Sequence, residues 1–317
     1  MKAKDYLSSE EIKELTQLAD WKAVLEVLST WGWITFAFLI AGIWPNPLTI
    51  IIALFIIGGK QLGCAILMHD ASHRALFKSR KLNDFVANWF AGYPIVHDGD
   101  RYRPYHLKHH IETGNPNDPD LNLTVGYPAG RASFTRKVLR DLLGITGIKG
   151  YFGLFLIHLG VLKYNLGRVV VKEDRANWTL IKMFKNAFKN LTGPIISNVL
   201  IFAVLWLFNA PWLYAVWIVA LLTTFQFSLR IRSIAEHSVV PDQLDMQLNT
   251  RTTYANFIER ILFAPHHVNY HAEHHLLMTV PSYNLPKMHQ LLKDRGFYDR
   301  GLLSNNYKEI INLAISG

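Results

Sequence analysis

VLSTWGWITFAFLIAGIWPNPLTIIIALFIIGG, residues Val27–Gly59, holds no charged side chain in 33 consecutive positions. Roughly 20 apolar residues, at about 1.5 Å each, cross a bilayer. Pro45, Asn46 and Pro47 break the run in its middle. The pattern predicts a helical hairpin, Leu25–Trp44 going one way and Leu48–Met68 returning. A second uncharged run, Leu191–Leu229, covers 39 positions and breaks at Asn209, Ala210 and Pro211. It predicts a second hairpin. Two long buried helices of a soluble α-protein are the competing reading, but such helices rarely run so far without a charge.

Composition agrees. The chain has 317 residues, 50% hydrophobic and 18% charged, with 33 Lys and Arg against 24 Asp and Glu. That excludes a disordered chain, a collagen and a small disulfide scaffold. Cys64 is the single cysteine, so internal disulfides and multi-Cys zinc or iron–sulfur sites are excluded. It reads as a small buried hydrophobe. Nine Trp and 18 Phe in a chain of net charge +9 point to membrane contact, with the cations kept at one surface.

The turns Trp44–Pro47 and Phe208–Trp212 carry no Lys or Arg. The positive-inside rule therefore places both termini and the large middle segment in the cytosol, with Trp44 and Trp212 at the opposite interface. Met1–Asp20 is charged and amphipathic, without a cleavable signal pattern. Tyr151–Leu162 is too short to span and reads as a re-entrant or interfacial helix, with His158 packed inside it. Lys60 has two readings: a helix-end cation snorkelling to the interface, or a cation lining a polar pocket and pairing a substrate carboxylate. The expected fold is all-α and integral to the membrane. Four transmembrane helices in two hairpins lie under a cytosolic helical cap in one domain, residues 1–317. Its parts are a hairpin at 25–68, a cytosolic segment at 69–190, a hairpin at 191–229 and a cytosolic segment at 230–317. No internal repeat or nucleotide loop is present, and no nucleic-acid partner is expected.

Eight of the 14 histidines fall in three motifs. These are His69-Asp-Ala-Ser-His73, His106-Leu-Lys-His109-His110 and His271-Ala-Glu-His274-His275. Residues three and four apart share a helix face, with Cβ atoms about 5–6 Å apart, so each motif can aim two imidazoles at one point. The doubled histidines add a ligand turned about 100° from its neighbour. One member can serve one metal while the other reaches a second, so the set reads as a dinuclear site. All three motifs fall on one side of the expected membrane. Imidazole suits iron, zinc, copper and nickel alike, so spacing alone does not choose the metal. The zinc-protease motif HExxH is absent. Asp70, Asp118, Asp120, Glu236 and Glu273 lie in or beside the motifs and are candidates to orient the ligands from behind. His267, four before His271, is another; His97, His266 and His289 are weaker. Arg101, Arg103 and Lys108 flank the second motif as interfacial cations or as recognition groups for an anionic head group.

The set resembles the membrane fatty-acid desaturase and hydroxylase superfamily of histidine-box, non-haem di-iron enzymes. Further matching pieces are Arg103-Pro-Tyr-His106, Asn117-Asp-Pro-Asp120, Arg232-Ser-Ile-Ala-Glu-His237, and Asn269–His275 continuing through Val280–Pro286 to His289. The resemblance covers about Gly63–Leu292 and is nearest to small bacterial members. Those include relatives of the kind that desaturate dihydrorhizobitoxine or oxygenate rhizopine, whose substrates are not lipids. It implies two irons, O2 as co-substrate and removal of hydrogen from an unactivated C–H bond. A desaturase acting on a fatty acyl chain or related lipid is the expected function. A membrane hydroxylase or oxygenase acting on a lipid or small amino compound is the runner-up. A membrane zinc hydrolase or a metal-binding transporter is the reading of a different class. The chain carries no dinucleotide fingerprint, four-Cys cluster or His-Pro-Gly-Gly heme motif, so an external electron donor such as a ferredoxin is implied. The expected location is a bacterial cytoplasmic membrane; oligomeric state stays open. His237 is a ninth expected ligand: it follows Leu229 by eight residues, about 12 Å if the helix continues, and eight imidazoles would leave two irons lightly ligated. Related desaturases place an Asn four residues before this His, where the present chain has Ser233.

Overall fold

The computed structural model describes residues 2–167, 169–174 and 178–317. A short helix α1 (Ser9–Leu15) precedes two long ones, α2 (Asp20–Ile43) and α3 (Pro47–Ser72). Asn46 starts α3: its side chain accepts from the amides of Leu48 (3.0 Å) and Thr49 (3.1 Å), with Pro47 as first helical residue. Then come α4 (Arg80–Val86), α5 (Gly99–Glu112), α6 (Leu121–Thr124), α7 (Arg131–Leu142) and α8 (Ile145–His158). Helix α9 (Leu180–Leu207) turns through Phe208–Trp212 into α10 (Leu213–Leu222) and α11 (Thr224–His237). Tyr214 donates to Asn198 Oδ1 at 3.2 Å across that turn. The chain ends with α12 (Phe257–Leu262), α13 (His271–Leu276), α14 (Leu285–Asp294) and α15 (Tyr307–Ala314).

Four stretches are long and apolar enough to cross a membrane: Asp20–Ile43, Pro47–Ser72, Leu180–Leu207 and Leu213–His237. In its most apolar window α3 is 67% buried, against 22% for α2 and 17% for α9, so α3 is the central helix. Ile57 and Leu62 of α3 pack with Ile34 and Ala37 of α2, and with Trp217, Ala220 and Phe225. The outer faces carry Leu28, Leu39 and Ile43 on α2 and Phe188, Val199, Val204 and Trp206 on α9, all exposed. Apolar surface this continuous marks contact with something other than water.

The fourth stretch bends between α10 and α11. Thr223 adopts φ −119°, ψ −85°, and Thr224 Oγ1 donates to the Leu54 carbonyl at 2.5 Å. Gly58 of α3 faces this bend. A Cβ there would run into Thr224 Oγ1 and lie 2.6 Å from the Phe225 amide nitrogen, so only glycine lets the two helices meet.

The structure departs from the sequence reading in several places. The fold is not purely α: strands β1 (Arg251–Thr253) and β2 (Leu302–Ser304) pair in parallel, Thr252 opposite Leu303. Three-residue strands leave no periodic trace in a sequence. The third long helix starts at Leu180, ahead of the expected Leu191, because Lys182, Lys185 and Lys189 extend it without breaking it. The expected interfacial helix at 151–162 is instead Ile145–His158. Lys60 does not snorkel: it sits mid-helix and is only 6% exposed. His267 does not share a helix with His271. His266 and His267 have φ of 52° and 57°, a left-handed pair that ends the turn before α13 begins.

Candidate metal centre

Four elements carry the histidines to one end of α3. His69 lies in the last turn of α3 and His73 caps it; His106, His109 and His110 lie on α5; His237 ends α11; His271, His274 and His275 lie on α13. Asp98 starts α5 by accepting from the amides of Asp100 (2.9 Å) and Arg101 (3.2 Å). Helix α13 has six residues, too few to hold its own shape, and is tied down by Thr252 of β1. Thr252 Oγ1 donates to Glu273 at 2.5 Å.

The nine imidazoles form two groups. His69, His73, His106, His110 and His274 make the first; His109, His237, His271 and His275 make the second. In each group one nitrogen per ring lies within 4.8 Å of all the others. The adjacent pairs divide: His109 and His275 join the second group, His110 and His274 the first. A 100° step between successive helical residues does this. His110 and His275 stack between the groups with centroids 4.3 Å apart.

The rings fit a metal. Nε2 of His69, both nitrogens of His73 and Nε2 of His275 are buried without a hydrogen-bond partner among the described residues. Nε2 atoms face one another at 2.8 Å in His237–His271, and at 3.1 Å in His106–His110 and His110–His274. Two nitrogens each about 2.1 Å from one ion and at right angles lie about 3.0 Å apart. Burial pushes His73 down to about 3 and His110 to about 2, and holds His106, His271, His274 and His275 well below the ordinary imidazole value. Neutral imidazole is the ligating form.

Carboxylates stand behind the rings. His69 Nδ1 donates to Asp70 at 2.7 Å and His109 Nδ1 to Asp118 at 2.8 Å. Both bonds leave Nε2 as the inward lone pair. Burial alone would lower His109, but the Asp118 hydrogen bond and the charge of Asp120 outweigh it and raise it. Asp120 lies 3.9 Å from His109 Nδ1 and accepts from Tyr105 at 2.5 Å. Glu236 lies 3.6 Å from His271 Nδ1 and accepts from Arg232 Nε at 2.6 Å.

Other candidates sit elsewhere. Glu273 turns away from the two groups, to Thr252, Tyr298 and His289, whose Nδ1 is 2.5 Å away. His267 accepts from Arg260 at 3.1 Å and belongs to neither group. Arg101 is engaged with His158 Nδ1 (3.3 Å) and the Tyr164 ring (4.8 Å). Arg103 keeps a buried Nη1 without a hydrogen-bond partner among the described residues, and its charge bears on His73. Lys108 is exposed. Ser233 donates back to the Leu229 carbonyl at 2.8 Å. The sequence reading missed three contributors. Arg232 clamps Glu236, Tyr102 stacks on His106 with centroids 5.2 Å apart, and the Asn249 carbonyl accepts from His237 Nδ1 at 3.1 Å. Only the Arg232–Glu236 pair had a sequence signal, its spacing of four on a helix.

Fold and site together define a helical protein whose apolar bundle carries, at one end, a histidine-rich cluster compatible with a metal site. The chain belongs to the fatty acid desaturase family, whose model matches residues 41–305; enzymes of this family are oxidoreductases. It is 29% identical to dihydrorhizobitoxine desaturase of Bradyrhizobium elkanii over 83% of this chain and 72% of that one. It is 28% identical to an sn-1 oleoyl-lipid 12-desaturase of Synechocystis sp., over 75% of this chain and 66% of the relative. To a chloroplastic omega-6 fatty acid desaturase of Glycine max the figures are 24%, 90% and 65%. The chain thus spans about two thirds of the length of these relatives.

Proposed function

We propose that this chain is an O2-dependent, non-haem di-iron membrane desaturase acting on a fatty acyl chain or related lipid. The observation that carries the reading is the division of nine imidazoles into groups of five and four, each converging on one point. The first group would hold one iron and the second the other. Two irons in these positions would supply O2-driven removal of two hydrogens from a saturated carbon pair, with two electrons from an external donor and both oxygen atoms leaving as water. The protein's own part is to hold the rings. Asp70 and Asp118 keep the protons of His69 and His109 on the outward nitrogens, and the Asn249 carbonyl does so for His237. A structural zinc site is normally satisfied by four ligands, and the five-imidazole group exceeds that.

Arg103, beside His73, is the proposed contact for an anionic substrate group. Exposed Lys108 suits the docking of an acidic donor such as a ferredoxin. The proposed topology is two hairpins in one membrane domain, with termini and histidines on the cytosolic side of a bacterial membrane. Elemental analysis of protein made with iron and zinc both supplied tests the reading. Two irons per chain are expected; two zincs would return it to a hydrolase or a metal-binding transporter. A second reading, oxidation of a small amino compound, is favoured by the similarity to dihydrorhizobitoxine desaturase. Mass comparison of lipids and small amines in cells with and without the protein separates the two, and an added oxygen in place of a double bond would mark a hydroxylase.

A further inference from the structure

Lys60 is the fourteenth of the 26 residues of α3, 6% exposed. Among the described residues its ammonium has no hydrogen-bond or ion-pair partner, and Nζ lies 5.9 Å from the centroid of Trp33. A cation enclosed in an apolar span is costly unless an anion joins it. Trp33, with Ser29, Gly32 and Phe36, lines a cavity of about 340 Å³ on the outer face of α2. Ser29 is exposed and its hydroxyl makes no hydrogen bond among the described residues. Nothing lies within 4 Å of where a Cβ on Gly32 would sit. Phe257 of α12, 68% exposed, packs edge-on against Trp33 with ring centroids 6.1 Å apart. From Phe36 the exposed side chains of Leu39 and Ile43 continue an apolar strip along α2, at the spacing of one helix face.

This groove is separate from the histidines. Lys60 and His69 are nine residues apart, about 13.5 Å along α3 and half a turn around it at about 100° per residue. They point to opposite sides. Lys60 stands behind the cavity, its ammonium over the Trp33 ring that lines it, and one cation without an ion-pair partner among the described residues, beside an apolar strip, matches one negative charge at the head of one hydrocarbon chain.

We propose that the groove is a binding site for the carboxylate of a long-chain fatty acid drawn from the bilayer, paired with Lys60 and contacted by Ser29, the chain lying along Phe36, Leu39 and Ile43. The site goes beyond the desaturase reading. It would hold free acid apart from the reaction centre, and it does not depend on the metal assignment.

The test uses the full chain, purified with its metal, in phosphatidylcholine nanodiscs. The probe is palmitic acid carrying a diazirine near its methyl end. Saturable photolabelling of α2 is expected, displaced by palmitate and not by methyl palmitate. Lys60→Met should weaken binding roughly tenfold or more and Lys60→Arg should largely keep it. Gly32→Leu should block the groove with its charge intact. Metal content should stay unchanged in all three, which separates loss of this site from loss of the histidine centre. Equal displacement by methyl palmitate, or unaltered labelling in Lys60→Met, would overturn the proposal. So would displacement by phosphatidylglycerol ahead of palmitate, which would make the occupant a phospholipid. If Lys60→Met fails to insert, unaltered labelling of Gly32→Leu overturns it alone.

Discussion

Replacing His237 by alanine asks whether the two histidine groups are two metal positions. His237 is one of four imidazoles in the second group and belongs to no other. Its Nδ1 is held by the Asn249 carbonyl at 3.1 Å, and its Nε2 faces His271 Nε2 at 2.8 Å. Four-ligand sites supply about 10–16 kcal/mol of metal binding, so one imidazole of four is worth about 2.5–4 kcal/mol, or roughly two to three decades in affinity. The first group keeps all five of its rings in this variant. The expected outcome is therefore one iron per chain rather than two, with turnover abolished. Ser233→Ala, which loses only a hydroxyl bonded to its own helix, should keep both irons. Iron is counted by elemental analysis after gel filtration with a mild chelator, and helicity by circular dichroism. Two irons and more than about half the wild-type rate in His237→Ala, a barrier change under roughly 0.4 kcal/mol, would return His237 to a helix-ending residue. Loss of both irons with helicity intact would refute the division into independent groups.

Asp118→Asn removes the carboxylate that holds His109 Nδ1 at 2.8 Å; iron should leave the second group at roughly 10- to 100-fold lower chelator concentration, read by competition titration. Gly58→Ala forces a methyl into the Thr224–Phe225 bend and should destabilise the bundle by about 1–3 kcal/mol, seen as a lower melting temperature in nanodiscs. Glu11 is held down, from 4.5 to about 2, chiefly by its hydrogen bond from Arg295. A carboxylate lowered in the folded state stabilises above its unfolded value and loses that contribution as pH falls toward 2, so Glu11→Gln should flatten the acid side of the melting profile between about pH 5 and 2. A reporter after Asn46 should appear outside the cytoplasmic membrane and one after Gly317 inside; reversed signals would put the histidines on the other side.

Much of this was legible because two signals are local. Charge-free runs mark long apolar helices whatever they pack against, and spacings of three and four bring His106, His109 and His110 to usable faces of one helix. What failed depended on contacts distant in sequence or on backbone exceptions. The bend at Thr223 has no proline or glycine to announce it. Thr252 reaches Glu273 across 21 residues, and only a three-residue strand puts it there. Counting four from His267 to His271 assumed a helix that two positive φ angles interrupt. Lys60 was expected inside the second span, and whether its long side chain snorkels to the interface or stays enclosed, as it does at mid-α3, depends on packing that no spacing records.

The two groups contain no carboxylate among the described residues. Loaded with two divalent ions as proposed, the centre would gain four positive charges against a contact layer of neutral rings. The compensating anions, Asp70, Asp118, Asp120 and Glu236, stand one layer out, with Arg232 among them as a counter-cation. Their field would reach such ions through imidazole rings rather than through metal–oxygen bonds, and no acidic side chain would take up a position on an ion that a reactant needs. The same arrangement has a cost when the ions leave. Without the ions those carboxylates would face an empty basket of bases, and the nearest available cations would be protons. Metal release and proton uptake would then be one exchange, and the pH at which the protein is stripped would decide what state is left behind.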